Sequence, residues 1–256
     1  MIKATELKVN IYETREAMGK AAAAEVIRKI NGLFLQQEMV NMIFAAAPSQ
    51  NEFLKALAAS DIDWQRVNAF HMDEYVGLPS EAPQAFGAFL RNAIFDKISF
   101  RSVHFINGNA NSVSQECERY AALLEQYPTD IVCMGIGENG HIAFNDPPVA
   151  DFEDPELVKV VELDPECRQQ QVNDGCFATK DQVPVNAITL TVPALMKARF
   201  VYCIVPGSKK ARAVFNTLNM NVSEAVPASV LRNHPQAIIY LDRQSSQFLQ
   251  KTNKLP

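Results

Sequence analysis

A histidine, an amide and a carboxylate stand within eight residues of one another in MGIGENGHIAFNDPP, Met134 to Pro148: Asn139, His141 and Asp146. An imidazole titrates near neutrality and can take a proton and return it. A neighbouring carboxylate can orient that ring and support its charged form. The same stretch carries Gly135, Gly137 and Gly140 in G-x-G-x-x-G spacing. A dinucleotide fingerprint would need a helix opening at the third glycine, with its N-terminus under the pyrophosphate. The third glycine instead leads into HIAFNDPP, and two prolines do not fit the interior of such a helix. Glu162 stands about where a ribose-binding acid would be, but any strand end can offer one. The glycines, Gly137 among them, read instead as places where the loop can pass close to a ligand. A lone histidine would read as structural. At a strand end beside Asn139 and Asp146, His141 reads as chemical.

Three other stretches could join it. In FHMDEYVGLP, Asp73 and Glu74 are adjacent. On an extended chain they point to opposite faces, so only one can serve a site as general base. In FAAAPSQNEFLKAL, Ser49 precedes Glu52 by three residues, the capping-box pattern. A capped helix start there would offer a hydroxyl and free N–H groups to an anion. In VPGSKKARAV, Lys209 and Lys210 open a helix, where cations oppose the helix dipole unless a bound phosphate relieves the conflict.

The elements that must position these residues alternate along the chain. Amphipathic helices are predicted over Thr14 to Leu35, Ser49 to Ala59, QAFGAFLRNAIFDKI and QECERYAALLEQY. Apolar strands are predicted at VNMIFAA, RVNAFHM, VHFI, DIVCMGI, LVKVVEL, AITLTV, FVYCIVP and AIIYLD. Such alternation predicts an α/β fold, a doubly wound and mainly parallel sheet flanked by helices, Rossmann-like in a modified form. No repeat or linker divides the chain, so residues 1–256 read as a single domain. Ligands of doubly wound sheets bind beyond the carboxyl ends of strands. The chemistry should therefore gather after VNMIFAA, RVNAFHM, DIVCMGI and FVYCIVP. Pro147 to Pro155 reads as loop, Glu166 to Lys180 as a mobile stretch, and Val149 to Val183 as a candidate lid.

Composition removes whole classes of function. The 256 residues are 48% hydrophobic and 21% charged, with a net charge of −5. That balance gives no electrostatic footprint for nucleic acid or an anionic membrane. The N-terminal stretch MIKATELKVNIYETREAMGK carries no leader pattern, and no apolar run reaches bilayer length. Five cysteines with no metal-binding spacing read as reduced structural thiols in a cytoplasmic protein, and the sequence points to no metal site. His71, His104 and His234 read as structural.

Taken together, MDEYVGLP, GHIAFNDP, VPGSKKARAV and HPQAIIYLD resemble the glucosamine-6-phosphate deaminase (isomerase) family, which shares a superfamily with 6-phosphogluconolactonase. The similarity runs along nearly the whole chain. It implies a cofactor-independent reaction of a phosphorylated amino sugar with water, giving a ketohexose 6-phosphate and ammonia. The resemblance implies that Asp73 moves a proton from C2 toward C1 and that His141 shuttles one during ring opening. Asn139 and Asp146 would accompany His141, Lys210 would bind the phosphate, and Ser49 would offer it a hydroxyl. Three departures stand out: Asn139 where some members carry aspartate, Asp146 where glutamate is usual, and AAAPSQ in place of a glycine- and threonine-rich phosphate loop. Ala46 and Ala47 occupy that loop. The family's phosphate-binding arginine has no secure counterpart. Arg168 is nearby, but a one-to-one alignment puts glutamine at the position. The amino-sugar epimer and the oligomeric state are left open, homo-oligomers included. Two other functions fit the fold: a 6-phosphogluconolactonase with His141 as base, and a non-catalytic sugar-phosphate sensor. GHIAFNDPP and Asp73 argue against the first, and the lack of a spare basic helix-turn-helix together with the retention of both Asp73 and His141 argues against the second.

Overall fold

The computed structural model describes residues 7–249. Residues 1–6 of the stretch read as lacking a leader, and 250–256 of the expected domain, lie outside the described residues.

Thr14 starts the first long helix by accepting the Ala17 N–H on its side chain. That helix, α1 (Arg15–Phe34), follows strand β1 (Lys8–Tyr12). It buries Met18, Ala22, Val26, Ile30 and Leu33, a stripe at helical spacing. The chain continues through β2 (Val40–Phe44), α2 (Asn51–Ala58), β3 (Val67–His71), β4 (Asp73–Tyr75) and α3 (Phe86–Leu90), which runs on into a π-helical turn over Arg91–Phe95. Next come β5 (Ser102–His104), α4 (Val113–Gln126), β6 (Ile131–Met134), β7 (Val158–Glu162), α5 (Pro165–Asn173) and β8 (Asn186–Leu190). The last elements are α6 (Val192–Met196), β9 (Phe200–Val205), α7 (Ala211–Asn219) and β10 (Ala237–Asp242).

Seven strands form one sheet in the order β1-β10-β9-β6-β2-β3-β5, and every pairing in it is parallel. Alternate residues feed the two faces. Met42 and Phe44 join one apolar cluster and Ile43 the other; Ile131 and Cys133 join the first, Val132 and Met134 the second. Burial on both faces is why these strands read as unbroken apolar runs. From β2 the chain builds toward β3 and β5 on one side, then returns to β6 on the other and continues to β9 and β10, which pairs with the first strand, β1. The crevice between β2 and β6 is thus the topological switch point, the expected place for a ligand.

Two sequence expectations need correction. LVKVVEL and AITLTV are strands, but they pair with Asp73–Tyr75 in a separate antiparallel sheet, β4-β8-β7. A hydrophobic run predicts a buried strand and not its partner. Strand β1, KVNIY, is not predicted by the sequence pattern: it lies at the sheet edge with no fully buried residue, so its signal is weak. The stretch from Glu166 to Lys180, read as mobile, contains most of helix α5. No helix among the described residues is long and apolar enough to cross a membrane.

Candidate active site

A cavity of about 380 Å³ opens beyond the carboxyl ends of β2, β3, β6 and β9. Ala46, Ala47 and Ser49 line it from the loop after β2, Asp73 from after β3, Gly137 and His141 from after β6, and Lys210 from after β9. The four junctions singled out by sequence therefore meet in one place.

His71 sets the backbone from which Asp73 projects. It is fully buried, its Nδ1 lies 2.9 Å from the Asp73 carbonyl oxygen, and its Nε2 accepts the Ile106 N–H. Burial lowers its pKa to about 4, so the ring stays neutral and Nδ1 carries the proton. Asp73 and Glu74 diverge as the extended chain requires. The Glu74 carboxylate turns away from the cavity and accepts the N–H groups of Tyr75, Phe86 and Gly87, fixing the start of α3. Burial pushes the Glu74 carboxyl up, and those three bonds hold it back. Asp73 faces the cavity. Burial, then the charge of Glu74, push its carboxyl well above the ordinary aspartate value of 3.8. A carboxylate so destabilised is a stronger base than a solvated one.

The loop after β6 holds a hydrogen-bonded group of three side chains. His141 Nδ1 lies 2.9 Å from Asp146 Oδ1 and 2.8 Å from Asn139 Oδ1. The Asn139 amide also donates to Asp146 Oδ1 and accepts the His141 N–H. Two oxygens at Nδ1 place the proton there, leaving the Nε2 lone pair as the basic site. Burial raises the Asp146 pKa, but the His141 charge and hydrogen bonds from His141, Asn139 and the Cys167 thiol outweigh it and keep the carboxyl low. Gly137 answers to this ring. A Cβ there would lie 2.2 to 2.4 Å from three His141 ring atoms. The glycine makes room for the His141 ring.

The cavity wall after β2 differs from the capping box the sequence predicted. Ser49 sits in a 3-10 turn, Pro48–Gln50, and caps nothing with its side chain. Glu52 is held instead by Arg15, whose Nε and Nη2 donate to its two carboxylate oxygens and whose Nη2 also donates to the Pro48 carbonyl. Ser49 Oγ accepts from Gln50 Nε2, and Gln50 Oε1 is buried without a partner. Lys210 ends a second 3-10 turn, Ser208–Lys210, ahead of α7. Burial lowers its pKa, opposed by Asp174 and Glu138. Among the described residues it is the one lysine or arginine in the lining.

Arg168 does not line the cavity. Its guanidinium donates to the carbonyls of Lys180 and Val183 and ties α5 to the following turn. Asn139 and Asp146 lie behind His141 and do not face the cavity. Sequence reasoning missed Gln50, Gln84, Gln171 and Asp174, all of them in the lining. Gln50 follows Ser49 directly and Gln171 belongs to the segment of Arg168, so position alone could have raised them. The other three histidines are held by structural bonds or ring contacts.

Residues 13–240 match the family model described as glucosamine-6-phosphate isomerases/6-phosphogluconolactonase. The chain belongs to that family. Among curated members, a glucosamine-6-phosphate deaminase of Bacillus thuringiensis (strain Al Hakam) is 38% identical over 239 residues, covering 93% of this chain and 88% of the relative. One of Bacillus anthracis (strain A0248) matches to the same extent. Among solved family structures, a monomeric glucosamine-6-phosphate deaminase superposes with a TM-score of 0.85 at 28% identity, covering 94% of this chain and 99% of the other. A 6-phosphogluconolactonase of Thermotoga maritima superposes with a TM-score of 0.76 at 18% identity, covering 93% and 100%, which shows the shared fold. The isomerase/lactonase family thus accounts for the seven-stranded parallel sheet.

Proposed function

We propose that this protein is an amino-sugar-phosphate deaminase, converting glucosamine 6-phosphate or its galactosamine epimer, with water, into the ketohexose 6-phosphate and ammonia. The observation that carries this reading is the pairing of two proton-transfer groups on one cavity. Asp73 is a desolvated carboxylate, and His141 is an imidazole whose proton is held on the far nitrogen. The identity to deaminases supports it.

The chemistry divides between them. His141 Nε2 takes the anomeric hydroxyl proton and returns it to the ring oxygen, opening the pyranose; Asp146 and Asn139 stabilise the imidazolium between the two steps. Asp73 then removes the C2 proton, giving an enolamine, and delivers it to C1. The resulting C2 imine adds water and expels ammonia. No redox change occurs, so the protein's own acids and bases suffice. Lys210, Ser49 and the backbone of the Ala46–Ala47 loop hold the phosphate. We place the whole reaction in one domain.

The lactonase reading uses His141 alone and leaves Asp73 without a task. A substrate panel separates the two: ammonia release from glucosamine 6-phosphate and galactosamine 6-phosphate, and hydrolysis of 6-phosphogluconolactone, at equal enzyme. Turnover of an amino sugar at least a hundredfold above the lactone is expected. Lactone hydrolysis with no ammonia from either epimer would overturn the proposal.

A further inference from the structure

Behind the His141 ring lies a group of atoms that proton transfer alone does not require. His141 Nδ1, an Asp146 carboxylate oxygen and Cys167 Sγ all lie within 4.8 Å of one another, and all three residues are buried. They come from distant points: the loop after β6 supplies the first two, and α5 the third. The geometry points to a binding site for a borderline-soft divalent metal, Zn²⁺, on these three atoms, whose occupation switches the enzyme off. The inhibitory half rests on the proposed role of His141; the binding half does not.

The donor set selects the metal. Imidazole nitrogen, carboxylate oxygen and thiolate sulfur together are the ligands of Zn²⁺ and not of Mg²⁺ or Ca²⁺, which take oxygen. Asn139 supplies the outer support such sites need, by donating to Asp146 Oδ1. Cys167 borders an opening other than the substrate cavity. A second cavity, of about 340 Å³, is lined by Glu138, Asn139, Glu166, Cys167 and Gln170. It is acidic, and Glu138 Oε1 is buried with no hydrogen-bond partner.

Binding follows a balanced exchange. The Cys167 thiol, whose proximity to Asp146 helps keep that carboxyl low, loses its proton to solvent and becomes the thiolate ligand. The His141 proton moves from Nδ1 to Nε2, so the ring stays neutral while Nδ1 binds the metal. Nε2 then faces the substrate as an N–H with no lone pair, and the sugar hydroxyl has no base to receive its proton.

The test uses the whole protein. Titration with Co²⁺ as a spectroscopic stand-in for Zn²⁺ should give a thiolate-to-metal charge-transfer band that saturates at one ion per chain. The band should vanish in Cys167→Ser, whose hydroxyl can still donate to Asp146, and persist in Cys176→Ser. Zn²⁺ should inhibit ammonia release reversibly with a chelator, and Cys167→Ser should need at least about tenfold more metal. Nitrogen NMR of the wild type, which needs no variant, should show the His141 proton leave Nδ1 when Zn²⁺ is added. No band in the wild type, or a band and inhibition unchanged in Cys167→Ser, would overturn the site. Metal bound at this site with turnover unaffected would overturn the switch and, separately, the role of His141 as base.

Discussion

His141 depends on three neighbours more than on its own chemistry. Asp146 and Asn139 set its tautomer, and Gly137 gives its ring room. Asp146→Ala should therefore lower kcat for ammonia release about a hundredfold or more while circular dichroism is unchanged; a loss below about fivefold would remove Asp146 from the relay. Gly137→Ala adds a methyl where the ring stands, and should displace the ring with a loss of similar size. Asp73 makes a prediction of opposite sign for activity and stability. Its carboxyl pKa is raised in the fold, so folding takes up a proton between the ordinary value of 3.8 and the higher folded value. Stability therefore falls as pH rises through that window, and the buried charge costs stability at neutral pH. Asp73→Asn should raise the Tm at pH 7 by a few degrees, about 2–4 °C per kcal/mol recovered, while lowering turnover about a thousandfold. The acid limb of kcat/KM should lie above the usual carboxylate range, because the base is lost as pH falls through its raised value. An unchanged or lower Tm at pH 7 would show that Asp73 is not held ionised against its surroundings.

Short elements carry the site, and tertiary partners decide how they lie. The carboxylate of Glu74 joins β4 to α3 by accepting three backbone N–H groups. Glu74→Ala strips those partners in a buried place and should cost about 3 kcal/mol in urea denaturation; a cost below about 1 kcal/mol would mean that α3 starts without it. The opposite orientations of Asp73 and Glu74 were legible in the sequence, because a strand has a period of two. The capping box was not, although Ser49 and Glu52 have the required spacing. Arg15 lies 37 residues from Glu52 in sequence and takes both carboxylate oxygens. A local pattern cannot register so distant a competitor. Arg168 was misplaced for a related reason: nothing in CRQQQ says that its guanidinium will close α5 onto the carbonyls of Lys180 and Val183.

Over the whole molecule, one rule made the cavity legible before any coordinate. Doubly wound sheets place ligands at the carboxyl ends of strands, and the unusual residues followed four apolar runs. Those four strands, β2, β3, β6 and β9, are adjacent in the sheet, so their ends converge. The second sheet was not legible, since strand pairing is not written in hydrophobicity. Nor was the Cys167 contact, which depends on how α5 packs behind the loop. The charge balance also divides by scale: the chain carries −5 overall, while Lys210 supplies the cation of the cavity. Lys210→Ala should raise KM for a phosphorylated amino sugar at least about tenfold with a smaller change in kcat, since one charged hydrogen bond is worth about 1.5–3 kcal/mol. A KM unchanged in that variant would place the phosphate elsewhere. The central claim is that one cavity holds a base for C2 and a proton shuttle for the ring. The measurement that tests it most directly is the steady-state release of ammonia from glucosamine 6-phosphate and galactosamine 6-phosphate by wild type and Asp73→Asn, side by side. Turnover is expected in the wild type, with a fall of about a thousandfold in the variant. Ammonia released by the variant at a rate within about tenfold of wild type would contradict it.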